Sequence, residues 1–527
     1  MGIRSIYTDD DSLWGRKSGE FEAFARSVSV DYLALGVQMV IGLLMLPFNV
    51  SRLGQSTYGL WVLTTSITMY FSVLDLGYGV AQVKFAAECR ARRDRKGLNQ
   101  IISTLFCVFS LIGIAVFAIA AAIAFNLDHF FKLDTEQAAT GRGVLLFVSA
   151  YVALGFPFSV FGGVVNAFQR RYLNGWVAIG TTAAVALVNI AVLEMGYGLV
   201  ELVAATTIVR ILSYFLYAMN AYRAFPGLRI GPRYFRLSRL REVSRVSLFL
   251  LLIDVANKLN YSSDTVVIGA FMGTVAISIW AIAQRLIETT QNVTSQMNGA
   301  LFPVVVDFAT LGQAERLRRV LVQGTRISLA MVIPVTTGLV ILAQPLVRAW
   351  VGARFDASVP IIYILSAAVA IRVGCSMATT LLKGAGQHRL LAAANVAAAL
   401  VNVGLSILLV RPFGLAGVAV GTAIPLAGVS IFILFPAACR RAELDKRNAV
   451  REAVWPALWP MIPMGMLLVL TRGLFPDKLL LIALQAAAAG AVYLLVFLKF
   501  AIPRRDREWY ESKVRQLIRR PRPAVAA

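Results

Sequence analysis

The stretch Ser72–Lys96, SVLDLGYGVAQVKFAAECRARRDRK, decides how this chain is to be read. The run before it, Tyr58 to Val73, is apolar enough to cross a bilayer, yet a carboxylate, Asp75, stands near its end. Five cations then follow: Arg90, Arg92, Arg93, Arg95 and Lys96. A charge inside hydrocarbon costs about 2.5–3.5 kcal/mol on insertion scales, whereas Lys and Arg accumulate where a span leaves the membrane on the cytoplasmic side. The cation burst therefore marks a cytoplasmic loop. Asp75 has two open readings. It faces the inward mouth of a polar cavity, continuing a Thr64–Thr68–Ser72 stripe, or it caps a new helical segment where Gly77 and Gly79 loosen the span.

The whole chain repeats this pattern. Of 527 residues, 58% are hydrophobic and only 15% charged, against roughly 45–50% and about 25% in a soluble protein, and the mean hydropathy is +0.71. Apolar runs of about 20 residues, each long enough for a 30 Å core, recur from residue 28 to 502. The expected fold is an all-α polytopic membrane protein of about 14 transmembrane helices. The expected organisation is a cytoplasmic N-terminal segment (1–27), an N-lobe of six spans (28–222), a basic linker (223–245), a C-lobe of six spans (246–437), two further helices (453–502) and a basic tail (503–527) that fits an amphipathic surface helix. Residues 1–27 hold Asp9, Asp10, Asp11, Glu20 and Glu22 with no apolar core, so no cleavable signal is expected.

Charge sets the orientation. Of the 51 Lys and Arg residues, 37 fall on the N-terminal side, 8 on the opposite side and 6 in spans, so both termini are expected in the cytoplasm. The net charge of +23 is thus mostly topology, with attraction to anionic lipid, and no nucleic-acid partner is needed. Four cysteines in spans or on the cytoplasmic side imply no disulfide framework, and two distant histidines give no metal site. No Walker A or other catalytic motif is present, and the short extracytoplasmic loops leave no room for a catalytic domain. No cofactor is expected.

Sliding the chain by 219 residues places Arg26, Gly54, Trp61, Ala81 and Glu88 on Arg245, Gly273, Trp280, Ala300 and Asp307. Two six-span copies in the same orientation form a pseudo-twofold repeat, a recurrent transporter plan with the substrate site near the midplane. Intramembrane polar groups cluster on the leading hairpin of the second copy. At 100° per residue, span seven (246–271) lines up Asp254, Asn257, Lys258, Tyr261, Ser262, Asp264 and Thr265 on one face. Span eight (276–305) lines up Gln284, Glu288, Gln291, Asn292, Ser295 and Asn298, with Arg285 at the edge. The first copy offers Asp31 and Asp75. Arg326 and Arg372 lie in spans nine and ten without an acid three or four residues away, and Arg210 lies in span six.

These residues divide into two candidate groups. Lys258, Arg285, Arg326, Arg372, Gln284, Gln291 and Asn292 are candidates for binding substrate. Asp31, Asp75, Asp254, Asp264 and Glu288 are candidates for ion coupling or gating. Each also has a plainer reading: Asp254–Lys258 and Arg285–Glu288 as pairs that keep a helix insertable, and Gln, Asn and Ser as interhelical hydrogen-bond partners.

RLGQSTYGLWVL (Arg52–Leu63), SVLDLGYGVAQVKFAAE (Ser72–Glu88) and LNQIISTLF (Leu98–Phe106) resemble bacterial O-antigen and exopolysaccharide flippases of the multidrug/oligosaccharidyl-lipid/polysaccharide exporter superfamily. The resemblance implies two lobes around a cavity lined by spans one, two, seven and eight. It also implies a substrate, an undecaprenyl-pyrophosphate-linked oligosaccharide moved across the cytoplasmic membrane, with a glycan polymerase and chain-length machinery as further partners. A cation-coupled multidrug antiporter of the same superfamily and a membrane glycan polymerase are the competing functions.

Overall fold

The computed structural model describes residues 20–75, 78–241, 243, 263–474 and 476–501. Asp254, Lys258 and the tail 503–527 lie outside the described residues. Among the described residues every regular element is a helix. Ten helices among the described residues are long and apolar enough to cross a membrane. Two of these are broken by a glycine: α1 (Glu20–Phe71) at Gly54, with φ 79° and ψ 170°, and the helix beginning at His388 at Gly414, with φ 58° and ψ −137°. Only glycine adopts such angles without steric cost, so each break is a turn between two helices.

The chain divides into two compact units. The first takes in the described residues up to Ala281 together with Ser406–Val418, and the second takes in Ile282–Leu405 and the described residues from Ala419 onward. In the first unit α1 is followed by α2 (Tyr78–Ala91), α3 (Arg95–Phe125), α4 (Thr135–Ala167), α5 (Arg171–Glu194) and α6 (Leu199–Ala224). α4 packs against α1, α2, α3 and α6, while α5 packs on α1 and α6. Val144, Leu193, Leu199, Leu202 and Val203 are buried together, with Phe48, Leu53 and Trp61 against them. Large apolar side chains such as Leu111, Ile114, Ile208 and Leu212 point outward, as lipid-facing residues must.

The second unit is organised on α9 (Ala314–Ile341), which packs against α10 (Val359–Gly374), α11 (Ser376–Gly384), α13 (Met461–Thr471) and α14 (Leu479–Val496). The first unit also holds a helical stretch at 263–271, labelled α7, and the start of α8 (Thr274–Thr310), the rest of which is assigned to the second unit; α12 is His388–Gly428.

The 219-residue repeat is legible in the backbone. Gly54 (φ 79°) corresponds to Gly273 (φ 86°), and Arg93 (φ 55°) to Gly312 (φ 65°). α2 ends at Ala91 where α8 ends at Thr310, and α3 begins at Arg95 where α9 begins at Ala314. The copies differ at Asp75. In the first, the helix gives way to a 3-10 turn at Ser72–Asp75 and a new helix begins at Tyr78. In the second, α8 runs unbroken through the matching positions. Asp75 caps the restart, accepting the Gly79 N–H at 3.2 Å on Oδ2.

The family-like segment RLGQSTYGLWVL holds two glycines with different tasks. Gly54 makes the turn, and Gly59 permits close approach, since a Cβ there would collide with the Thr274 carbonyl. Ser56 and Thr274 hydroxyls meet at 3.1 Å beside it, and Gln137 Nε2 donates to Ser56 Oγ at 2.8 Å. Gly59→Ala is expected to destabilise the protein by about 1–3 kcal/mol, read as a lowered unfolding temperature of the purified protein. Gly36→Ala, where nothing lies within 4 Å, should be silent. Asp75→Asn should keep its unfolding temperature and transport, because asparagine caps as well as aspartate, whereas Asp75→Ala should lose about 1 kcal/mol. Loss of transport in a stably folded Asp75→Asn protein would assign the charge itself a role.

Candidate functional site

The polar face of α8 is the densest group of candidates among the described residues. Gln284 Nε2 donates to Glu288 Oε1 at 2.8 Å, one helical turn away. Gln291 is half-buried and Asn292 exposed further along the same face. Arg285 lies next to this pair, and its Nε is buried with no hydrogen-bond partner. An arginine N–H withdrawn from water and left without an acceptor is costly. It is also a donor already desolvated for an anion that arrives.

Arg326 is placed differently from what its lack of a nearby acid implies. It is 3% exposed, and Nε and Nη2 both donate to the Glu452 main-chain carbonyl, at 2.9 and 2.7 Å. Glu452 sits in a π-helical stretch, Val450–Val454, and its carboxylate is 3.7 Å from Arg318. A main-chain acceptor leaves no signature in side-chain spacing, so the sequence could not reveal this partner. Arg372 is half-buried near the end of α10.

The acids of the first unit are also engaged. Asp31 pairs with Arg171 at 3.3 Å, at the first residue of α5, beside the contact of Ser27 Oγ with the Tyr172 N–H at 3.2 Å. Arg171 belongs to the basic pair Arg170–Arg171 that reads from sequence only as a topology signal. Asp264, in α7, is 4% exposed and accepts from Ser406 Oγ at 3.5 Å, a residue 142 positions away. Arg52 reaches Glu194 at 2.6 Å, tying the turn after Val50 to the end of α5. Arg210, midway along α6, is exposed and lies over the Tyr151 ring at 5.4 Å, with Tyr214 stacked on Tyr151 at 5.5 Å. No group of three or more His, Cys, Asp or Glu able to hold a metal is found among the described residues.

What such an arrangement can do chemically is limited and clear. It offers amides and hydroxyls for polar recognition, one buried and unfilled arginine N–H, at Arg285 Nε, for an anion, and carboxylates already held by partners.

Residues 24–309 match the model of a family described as polysaccharide biosynthesis protein. The succinoglycan biosynthesis transport protein ExoT of Rhizobium meliloti is 27% identical over 287 residues, 52% of this chain and 55% of that protein. The chain thus spans about half the length of this relative. Among solved structures, a lipid II flippase, MurJ, in an inward closed conformation matches 93% of this chain and 99% of its own at TM-score 0.71 and 16% identity. An inward-facing multidrug resistance MATE family transporter of the MOP superfamily matches 78% and 98% at TM-score 0.63 and 17% identity. The structural likenesses establish the fold alone. The match over residues 24–309 covers more than half of the chain, and the chain belongs to the polysaccharide biosynthesis protein family.

Proposed function

We propose that this protein is a flippase that carries undecaprenyl-pyrophosphate-linked oligosaccharide repeat units across the bacterial cytoplasmic membrane by alternating access, for cell-surface polysaccharide synthesis. The observation that carries the reading is the family match over residues 24–309. The polar face of α8 is consistent with it. The buried, unpartnered Nε of Arg285 would meet the pyrophosphate through charge-assisted hydrogen bonds. Gln284, Gln291 and Asn292 would meet sugar hydroxyls. In this reading Lys258 and Arg372 are further anion contacts, Asp31, Asp254, Asp264 and Glu288 couple or gate, and Asp75 serves as the cap of α2.

The orientation proposed follows the basic residues, with both termini cytoplasmic. The chain then crosses the membrane fourteen times. Gly54 and Gly414 divide two of the ten long helices, and the span read at 246–271 and the polar α8 supply two more. The lobes proposed are 28–222 and 246–437, with 453–502 added.

Arg285 and Arg326 separate experimentally. Arg285→Ala should cut transport of a defined lipid-linked glycan in reconstituted vesicles about tenfold or more, with normal abundance and unfolding temperature. That is the range for a lost hydrogen bond to a charged group, about 1.5–3 kcal/mol. Arg326→Ala should instead lower the unfolding temperature, because it leaves the Glu452 carbonyl without its guanidinium donor. Undiminished transport in an Arg285→Ala, Arg372→Ala double variant would remove those residues from the site. Drug resistance on overexpression without any change in surface glycan would favour the multidrug antiporter.

A further inference from the structure

The segment that follows α6 is held in place. Asn99, Ser103 and Thr104 of α3 are buried polar residues, 3%, 4% and 1% exposed. Each is bonded to the main chain of residues 227–236. Asn99 Nδ2 and Arg95 Nε donate to the Gly227 carbonyl at 3.2 and 3.3 Å. The Arg229 N–H donates to Asn99 Oδ1 at 3.0 Å, and Ser103 Oγ donates to the Arg229 carbonyl at 3.4 Å. The N–H groups of Gly231 and Arg236 donate to Ser103 Oγ and Thr104 Oγ1, at 3.2 and 3.0 Å. Phe225 and Leu228 anchor the near end in the core. From Arg95 to Thr104 the strap follows the first ~13 Å of α3.

What is pinned is mostly cationic. Arg229, Arg233 and Arg236 are exposed on the strap, and Arg92, Arg93 and Lys96 are exposed on the turn into α3. The Arg170 guanidinium joins this face through the Arg223 carbonyl at 3.4 Å. The one acid in that turn, Asp94, is occupied as the cap of α3, accepting from the Gly97 N–H at 2.8 Å. A topology signal needs only charge and no fixed geometry. Here three buried side chains fasten the main chain that carries the arginines, so orientation in the membrane does not account for the arrangement. Apolar and aromatic groups share the surface: Leu237 is 62% and Tyr222 44% exposed, and Tyr234 and Phe235 are half-buried. Cations interleaved with exposed apolar side chains at the end of a span match the headgroup–acyl boundary, where a water-soluble acidic protein would not meet the apolar groups.

We propose that the strap 227–236 and the turn into α3 form a preorganised binding surface for anionic phospholipid headgroups, phosphatidylglycerol or cardiolipin. The phosphates lie among the arginines, and Leu237 and Tyr222 reach the acyl chains.

The test uses the purified full-length chain and requires no glycan substrate, so it stands or falls independently of the transport reading. Lipid retained from mixed micelles of cardiolipin and phosphatidylethanolamine is measured by native mass spectrometry. The wild-type protein should retain cardiolipin in preference. An R229Q/R233Q/R236Q variant should weaken retention about tenfold or more, since each cation contributes at a membrane surface. The deciding variants keep every charge and loosen the strap. N99L/S103A should weaken retention about threefold or more, and the milder Thr104→Val, which removes one hydroxyl, should do so in the same direction if the double variant does not fold. Wild-type retention in a folded strap-loosened variant, or no preference for cardiolipin in the wild type, would overturn the proposal. So would strap-dependent capture of soluble polyglutamate without lipid preference, which would assign the surface to an acidic protein.

Discussion

A backbone polar group or side-chain charge in hydrocarbon must find a partner within the protein, and the irregular points of this structure are where that requirement is met. Pro157 cannot donate to the Ala153 carbonyl one turn earlier. That carbonyl faces Gly113 of α3, where any side chain would collide with it. In the second unit the π-helical stretch Val450–Val454 displaces the regular hydrogen-bond ladder. Arg326 covers the Glu452 carbonyl with two donors. A buried guanidinium and an irregular main chain, each costly alone, satisfy each other.

The same requirement explains a parallel between the two copies of the repeat. The segment after the sixth helix of the first copy, 227–236, returns to α3 through Asn99, Ser103 and Thr104. Moved by 219 residues, it becomes 446–455, which holds Glu452 and returns to α9 through Arg318 and Arg326. The return strap is common to both copies, while the side chains that fasten it differ. The first copy uses neutral donors and acceptors to hold an arginine-rich chain. The second uses arginines to hold a chain that continues into α13 and α14.

The fold was legible because hydrocarbon leaves few alternatives. Runs of apolar residues were enough to give an all-α polytopic chain, and Gly54 and Gly273, matched in the sequence register, share a positive φ. Site chemistry was only partly legible. Helical spacing put Gln284 and Glu288 on one face, where i and i+4 residues are neighbours. The pair read from sequence was Arg285 with Glu288, while the hydrogen bond runs from Gln284. Partners that are distant in sequence were beyond reach: Arg171 for Asp31, Ser406 for Asp264, and a main-chain oxygen for Arg326. Spacing along one helix carries no information about them.

Pairing also ranks the intramembrane charges. A charge whose donors or acceptors are already taken by the protein gains little from a ligand, since binding must first break what it has. Arg326 and Asp31 have such partners, so their first task is to hold helices together. Arg285 differs in kind. Its Nε is desolvated and unfilled while the carboxylate beside it, Glu288, already accepts from Gln284. The Gln284 amide takes one acceptor site of Glu288 and leaves its charge in place, so Arg285 and Glu288 remain a pair of opposite charges on one helix. What separates Arg285 from Arg326 is the buried N–H at Nε that nothing in the protein fills.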